Sequence, residues 1–167
     1  MIALAALGFL LTLLALAAWR DLTTMTIPNG VSVALALGFP LVALALGLDA
    51  QTMWAHVAAG AIAFAVCLGL FYSGIIGGGD AKLYPAVAFW MGGTAALPFL
   101  LTTFVAGGAL AMMLVAARRI APSGAGTPFV LRRFCDPGEG VPYGLAIATG
   151  AIWSLPHVGW ISLQFAS

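Results

Sequence analysis

The length of its uncharged apolar segments is the feature that most constrains this chain. Leu83 to Ala117 contains no charged residue, and neither does Met1 to Trp19. Only 7% of the 167 residues are charged and 63% are hydrophobic, whereas a soluble domain has about 25% charged residues. Because this small number of charged groups cannot cover a water-exposed surface, the sequence predicts a protein surrounded largely by membrane lipid. The net charge of +1 gives no indication of nucleic-acid binding.

The apolar segments predict an all-α polytopic membrane protein with about six transmembrane helices in a single domain over 1–167. About 20 apolar residues are needed to cross the hydrocarbon core. The predicted spans are Met1–Trp19, Val31–Leu48, Trp54–Ile75, two short spans before Arg118, and Tyr143–Leu163. The first span is predicted to be retained, since no basic residue precedes its apolar core as in a signal peptide.

The turn between the two short spans has two candidate positions. The segment Met91–Thr94 (MGGT) is the preferred one, and Pro98 is the alternative. A turn at Met91–Thr94 leaves 81–91 as a helix of only about 16 Å, roughly half of the hydrocarbon core. That choice predicts that Asp80 lies below the level of the lipid headgroups.

The basic residues predict the orientation in the membrane. With both termini outside, three loops face the cytoplasm: 20–30, 77–82 and the loop 118–142. All six basic residues lie in or beside them: Arg20, Lys82, Arg118, Arg119, Arg132 and Arg133. This distribution follows the positive-inside rule. Within the last loop, PFVLRRF is compatible with an interfacial helix or with a plain tether.

Two aspartates are predicted at this inner face. Asp21 follows the first span, and Asp80 precedes the fourth after Gly77, Gly78 and Gly79. Ionisable groups near the hydrocarbon are candidates for function. Two converging carboxyl groups can share a proton and act as base and acid on water and a peptide bond, as in aspartic proteases. Glycines beside Asp80 would admit a peptide strand closely and permit unusual backbone angles, and the same argument applies to Pro142, Tyr143 and Gly144.

Other interpretations of these groups are structural. Asp21 could pair with Arg20, and Asp80 could be the N-cap of a helix beginning at Ala81. His56 and His157 are predicted to be remote from both aspartates and to have no catalytic role. The two cysteines, Cys67 and Cys135, form no CxxC pair, so neither a disulfide framework nor a metal site is predicted, and no cofactor is expected.

Three segments resemble one family in the expected order. GGGDAKLYPAVAFWMG contains the GxGD form, DLTTMTIPN carries the other aspartate, and VPYGLAIATG opens the last span. Together they resemble the type IV prepilin peptidases, which are intramembrane aspartic proteases. The resemblance implies that Asp21 and Asp80 are the catalytic pair and that the glycine and Pro-Tyr-Gly segments contact substrate. It also implies a bacterial inner-membrane enzyme, active at the cytoplasmic face, that removes the basic leader from prepilin or pseudopilin substrates with an apolar helix.

The chain departs from the larger members of that family. It has no cytoplasmic domain with CxxC motifs between its first spans, so N-methyltransferase activity is not expected. The short form resembles the peptidases of tight-adherence (Flp-type) pilus systems. Two other classes remain open from the residues alone: a small proton- or cation-coupled transporter or channel, and a non-catalytic pilus or secretion assembly subunit. Neither the substrate nor the oligomeric state follows from the sequence.

Overall fold

Helices are the regular structure of the residues described by the computed structural model, 1–120 and 140–161. Four helices come first, and a fifth follows residues 121–139, which lie outside the described part. They are α1 (Ile2–Thr24), α2 (Asn29–Ala45), α3 (Ala50–Tyr72), α4 (Gly78–Ile120) and α5 (Tyr143–Ser154), with a 3₁₀ turn at Leu155–His157. The all-α prediction is confirmed for these residues.

Three helices in the described residues are long and apolar enough to cross a membrane: Ile2–Thr24, Ala50–Tyr72 and Gly78–Arg119. The apolar helix α2 is shorter. Many large apolar side chains on these helices are exposed, as is expected of surfaces that face lipid; they include Leu37, Leu41, Leu44, Trp54 and Ile62. The membrane interpretation is therefore supported, while the number of six spans and the outside location of both termini stay predictions.

The long helix α4 is folded back on itself at Gly92. Gly92 has φ 68° and ψ −175°, which interrupts the helix. The rings of Tyr84 and Phe99 are stacked with centroids 4.6 Å apart, although a straight helix would separate these residues by about 22 Å. The two arms, 78–91 and 93–120, are therefore antiparallel. The turn lies in Met91–Thr94 as preferred from the sequence, and the alternative near Pro98 is wrong.

The carbonyl groups exposed by this break have side-chain partners. Near the end of a helix, carbonyls lose their partners within the helix. The Nδ1–H of His56 donates to the Phe89 carbonyl oxygen at 2.7 Å, and the Trp160 indole N–H donates to the Trp90 carbonyl oxygen at 3.1 Å. His56 is buried and stacked on Phe39. Its role is therefore to hold the hairpin turn, far along the first arm from Asp80.

Three helix boundaries differ from the predicted spans by four or more residues. The first helix continues to Thr24, so Asp21 lies inside α1 and not after it. The third helix begins at Ala50, before the predicted Trp54, because Asp49 caps it by accepting from the Thr52 N–H at 2.9 Å. The last helix ends at Ser154 instead of continuing to Leu163, because Pro156 removes a backbone donor.

Candidate active site

Asp21 is fixed by a contact between the end of α1 and the beginning of α5. Its side chain is only 6% exposed, and its Oδ2 accepts from the Gly144 N–H at 2.6 Å. Gly144 is the second residue of α5, where backbone N–H groups have no partner within the helix and favour a negative charge. Arg20 is exposed on α1, and the described hydrogen bond of the Asp21 carboxyl is to α5 and not to Arg20. Asp21 is therefore part of a buried junction, and pairing with Arg20 does not explain it.

Asp80 lies in the first turn of α4. That helix begins at Gly78, so Asp80 is not the N-cap of a helix beginning at Ala81, and that interpretation is wrong. Its carboxyl group instead interacts with the Gly77 backbone N–H, which satisfies one donor that the helix leaves free. The side chain is half-buried. Asp80 therefore bonds at the helix end and still has an accessible part that lines a cavity.

Both aspartates line one cavity of about 730 Å³. The cavity is formed by the C-terminal end of α1, the N-terminal ends of α4 and α5, the loop before α2 and the glycine loop. Asp80 also interacts electrostatically with Asp21. The other lining residues are Met25, Thr26, Ile27, Ile75, Ile76, Gly77, Gly78, Gly79, Lys82, Gly140, Val141 and Tyr143. The structure thus brings together two carboxyl groups from distant parts of the sequence, as predicted, in a space that can admit a peptide.

The sequence of this chain matches one known protein family. Residues 8–112, more than half of the chain, match the model of the type IV leader peptidase family. The chain belongs to that family. Comparisons with curated proteins and with solved structures give no match. The protein is therefore a leader peptidase-like hydrolase by family, and both aspartates of the cavity lie within the matched segment.

The glycine loop of this family member allows neighbouring residues to pack closely against the beginning of α4. A Cβ added at Gly78 would lie 3.3 Å from the Phe71 ring, and one at Gly79 would lie 3.3 Å from Ile27. The positive-φ glycine of this region is Gly74, with φ 71°, while Gly77, Gly78 and Gly79 do not have positive φ. The expectation of unusual angles at these three glycines is therefore wrong. The missing side chains of Gly78 and Gly79 let α4 begin close to Phe71 and Ile27, and that of Gly77 leaves room for the Asp80 carboxyl group. All three glycines line the cavity.

The Pro-Tyr-Gly segment is divided between three environments in the peptidase. Tyr143 lines the cavity, and its ring packs on Gly107 of α4. Pro142 is fully buried and is not a lining residue. Gly144 contacts the Asp21 carboxyl group. Tyr143 is therefore the member of this segment that can reach a molecule in the cavity, and Gly144 positions a carboxylate.

Neither the place of Lys82 in the site nor its bond to Asn29 was predicted from the sequence. Lys82 lines the cavity, and its Nζ donates to the Asn29 Oδ1 at 3.0 Å. This bond joins the beginning of α2 to the first arm of α4. The signal was present in the IPN turn and in the lysine two residues after Asp80, but an exposed lysine near a membrane is more often an anchor.

Metal ligands are absent from the described part of the chain, because no group of three or more His, Cys, Asp or Glu residues is found there. His56 is occupied at the hairpin turn. His157 lies in the 3₁₀ turn, where its carbonyl oxygen accepts from the Thr94 hydroxyl at 2.9 Å. Cys67 is a buried free thiol, while Cys135 and the PFVLRRF segment lie outside the described residues. The ionisable side chains that line the cavity are the two carboxyl groups together with Lys82 and Tyr143.

Proposed function

We propose that this family member is an intramembrane aspartic endopeptidase in which Asp21 and Asp80 activate water together. The observation that carries the proposal is their position: two carboxyl groups, from the end of α1 and the beginning of α4, line one cavity and interact electrostatically. Two carboxyl groups that share one proton provide a base and an acid at the same time. A proton or cation carrier is less consistent with carboxyl groups gathered at one end of the helices.

The reaction follows from that shared proton. The ionised carboxylate accepts a proton from a water molecule, whose oxygen attacks the carbonyl carbon of the scissile peptide bond. The protonated carboxyl group donates its proton to the carbonyl oxygen. In the second step the C–N bond breaks, and a carboxyl group returns a proton to the leaving amine. The hydrogen bond from the Gly144 N–H to Asp21 holds one carboxylate at a fixed position for both steps.

The proposed substrate is a prepilin or pseudopilin with a basic leader and an apolar helix, and cleavage removes the leader. The basic leader suits a cavity that holds two acidic side chains, and the apolar helix suits a protein surrounded by lipid. We place the enzyme in the bacterial inner membrane with its site facing the cytoplasm, on the basis of the six basic residues on one predicted side. Its role would be in pilus biogenesis or protein secretion, and without CxxC motifs we propose no methyl transfer.

The test replaces each aspartate separately with asparagine, which retains the size of the side chain. Asp21→Asn and Asp80→Asn are each expected to reduce cleavage of a prepilin-type substrate by about 10³-fold or more, since acid–base catalysis contributes about 10²–10⁴-fold. Asp49→Asn is the matched control, because Asp49 caps α3 at the opposite end of the helices and asparagine is an equally good cap. Thermal unfolding of each purified variant checks folding. Near-normal cleavage by either folded site variant would remove that aspartate from the mechanism.

A further inference from the structure

A second cavity opens between α2 and α3, beside the aspartate cavity. Its volume is about 540 Å³. Both helices pack on α4, but α2 and α3 hardly contact each other. The first arm of α4 therefore forms the floor of a groove between them. We call it the α2–α3 groove; its walls and floor include Ser32, Ala36, Ala61, Phe64, Pro85 and Phe89.

A buried hydroxyl group in this groove has no partner. Ser32 is 8% exposed, and its Oγ makes no hydrogen bond in the described structure. A serine inside a helix commonly donates to the carbonyl four residues before it, but Ser32 does not. A buried polar atom without a partner is costly and is rare in folded proteins. Because this atom has almost no accessible surface, a ligand would satisfy it only where the groove widens around that ligand.

The groove is continuous with the aspartate cavity. Lys82 lines both spaces, and Asn29, its hydrogen-bond partner, lines the groove. Among the groove residues Lys82 carries the only charge, and the others are apolar apart from Asn29 and Ser32. The groove therefore favours an uncharged apolar ligand.

We propose that the α2–α3 groove binds the apolar helix of the substrate while its basic leader occupies the aspartate cavity. The proposal rests on the proposed peptidase function and adds where and how the substrate is held. The groove extends from Asn29 to Ala36 on α2 and from Lys82 to Phe89 on α4, each about 10 Å along the axis. It therefore accommodates about two turns of helix next to the scissile bond. When the substrate helix widens the groove, Ser32 Oγ, which is closed off in the free protein, donates to a substrate carbonyl that becomes free where that helix unwinds for cleavage.

Photo-crosslinking tests the occupant directly and does not require cleavage. Benzoylphenylalanine replaces Phe64, an exposed groove residue, or Met112, an exposed residue of α4 that lines none of the cavities described here. With a full-length prepilin-type substrate in lipid vesicles, position 64 should crosslink to the first two turns of the apolar helix, and position 112 should not. Crosslinks from position 64 to lipid alone, or equal crosslinking from both positions, would overturn the proposal.

Kinetics with groove variants provides the second test. Ala61→Trp fills the groove and should raise KM for the same substrate about tenfold or more, with kcat changed little. Ala109→Trp is the control, because Ala109 is also an exposed alanine of an apolar helix but lines none of these cavities. Ser32→Ala should raise KM about three- to tenfold, as expected for loss of one hydrogen bond. Ser32→Thr keeps a hydroxyl group and should therefore keep KM near the native value.

The two proposals fail in different ways. If the aspartates are not catalytic, the asparagine variants cleave normally while the crosslink from position 64 is still formed. If the groove does not bind substrate, the asparagine variants lose cleavage but Ala61→Trp and Ser32→Ala leave KM unchanged. An unchanged KM in both groove variants therefore contradicts the groove and leaves the catalytic pair standing.

Discussion

Replacing Gly144 by alanine tests whether the contact between α5 and α1 positions a catalytic carboxylate. A Cβ at this residue would lie 2.9 Å from the Asp21 Oδ2, 3.0 Å from its Cβ and 3.1 Å from its Cγ. Carbon atoms in favourable contact are about 3.5–4.0 Å apart. Because one of the three contacts is with the Asp21 Cβ, rotation of the carboxyl group cannot relieve the overlap. Either α1 or α5 must move by about 0.5 Å or more.

The expected effect on catalysis follows from that displacement. A misplacement of about 1 Å can cost about 10²-fold in rate, so about 0.5 Å corresponds to about tenfold. The hydrogen bond from the residue 144 N–H to Oδ2, 2.6 Å in the native protein, would lengthen or bend as well. A hydrogen bond to a charged group contributes about 1.5–3 kcal/mol. We therefore expect Gly144→Ala to lower kcat/KM by about 10- to 100-fold.

The assay is cleavage of a prepilin-type substrate by purified protein in lipid vesicles, with thermal unfolding measured on the same samples. Gly69→Ala is the control: Gly69 lies inside α3, and nothing is within 4 Å of an added Cβ. That variant should keep full activity and gain about 0.5–1 kcal/mol of stability, because alanine favours a helix over glycine. If Gly144→Ala retained more than half of the native kcat/KM, the contact would not be what positions Asp21.

Four further outcomes are expected. Gly92→Ala should lower Tm by about 5 °C or more, because φ 68° strains alanine by about 1–3 kcal/mol and the added Cβ would overlap the His56 ring. Gly47→Ala is the control, since Gly47 has φ 66° but open space around an added Cβ, and it should lower Tm less. Equal shifts in Tm would contradict a contribution from the overlap with His56. Gly79→Val should inactivate the enzyme by forcing α4 away from Ile27, while Gly79→Ala should be milder; a fully active valine variant would refute this. Asp49→Cys should react with a membrane-impermeant thiol reagent added from outside, and protection from it would reverse the predicted topology. Chelators should leave cleavage unchanged, and inhibition by them would indicate a metal.

The helix content and the hairpin turn could be predicted from the sequence because they depend on local chemistry. Long apolar segments form helices in lipid, since every backbone group must be satisfied internally. The segment around Gly92 was identified as a turn because glycines interrupt a stretch too long for one crossing. The convergence of Asp21 and Asp80 was also predictable, since two crossings return the chain to the same side of the membrane.

The contacts that position these aspartates could not be predicted, because they join helices distant in sequence. Asp21 was expected after the first helix, yet α1 continues through it and its partner is the Gly144 backbone. A backbone donor has no residue-type signature. The α2–α3 groove is a similar case: Ser32 looks like any small residue of an apolar helix until the packing of α2 against α4 buries its hydroxyl.

The unequal arms of α4 predict the depth in the membrane at which the proposed hydrolysis would occur. Asp80 lies 12 residues before Gly92, about 18 Å along the first arm, whereas Arg118 lies 26 residues after it, about 39 Å along the second. Because the arms are antiparallel, Asp80 is recessed by about 20 Å from Arg118. In the proposed topology Arg118 lies at the headgroup level, so Asp80 is expected to lie below that level. Under the two proposals above, water reaches it through the 730 Å³ cavity, and the substrate helix reaches it through the α2–α3 groove. Together the two proposals give the basic leader and the apolar helix separate routes to the aspartates, and Lys82 lines both of them.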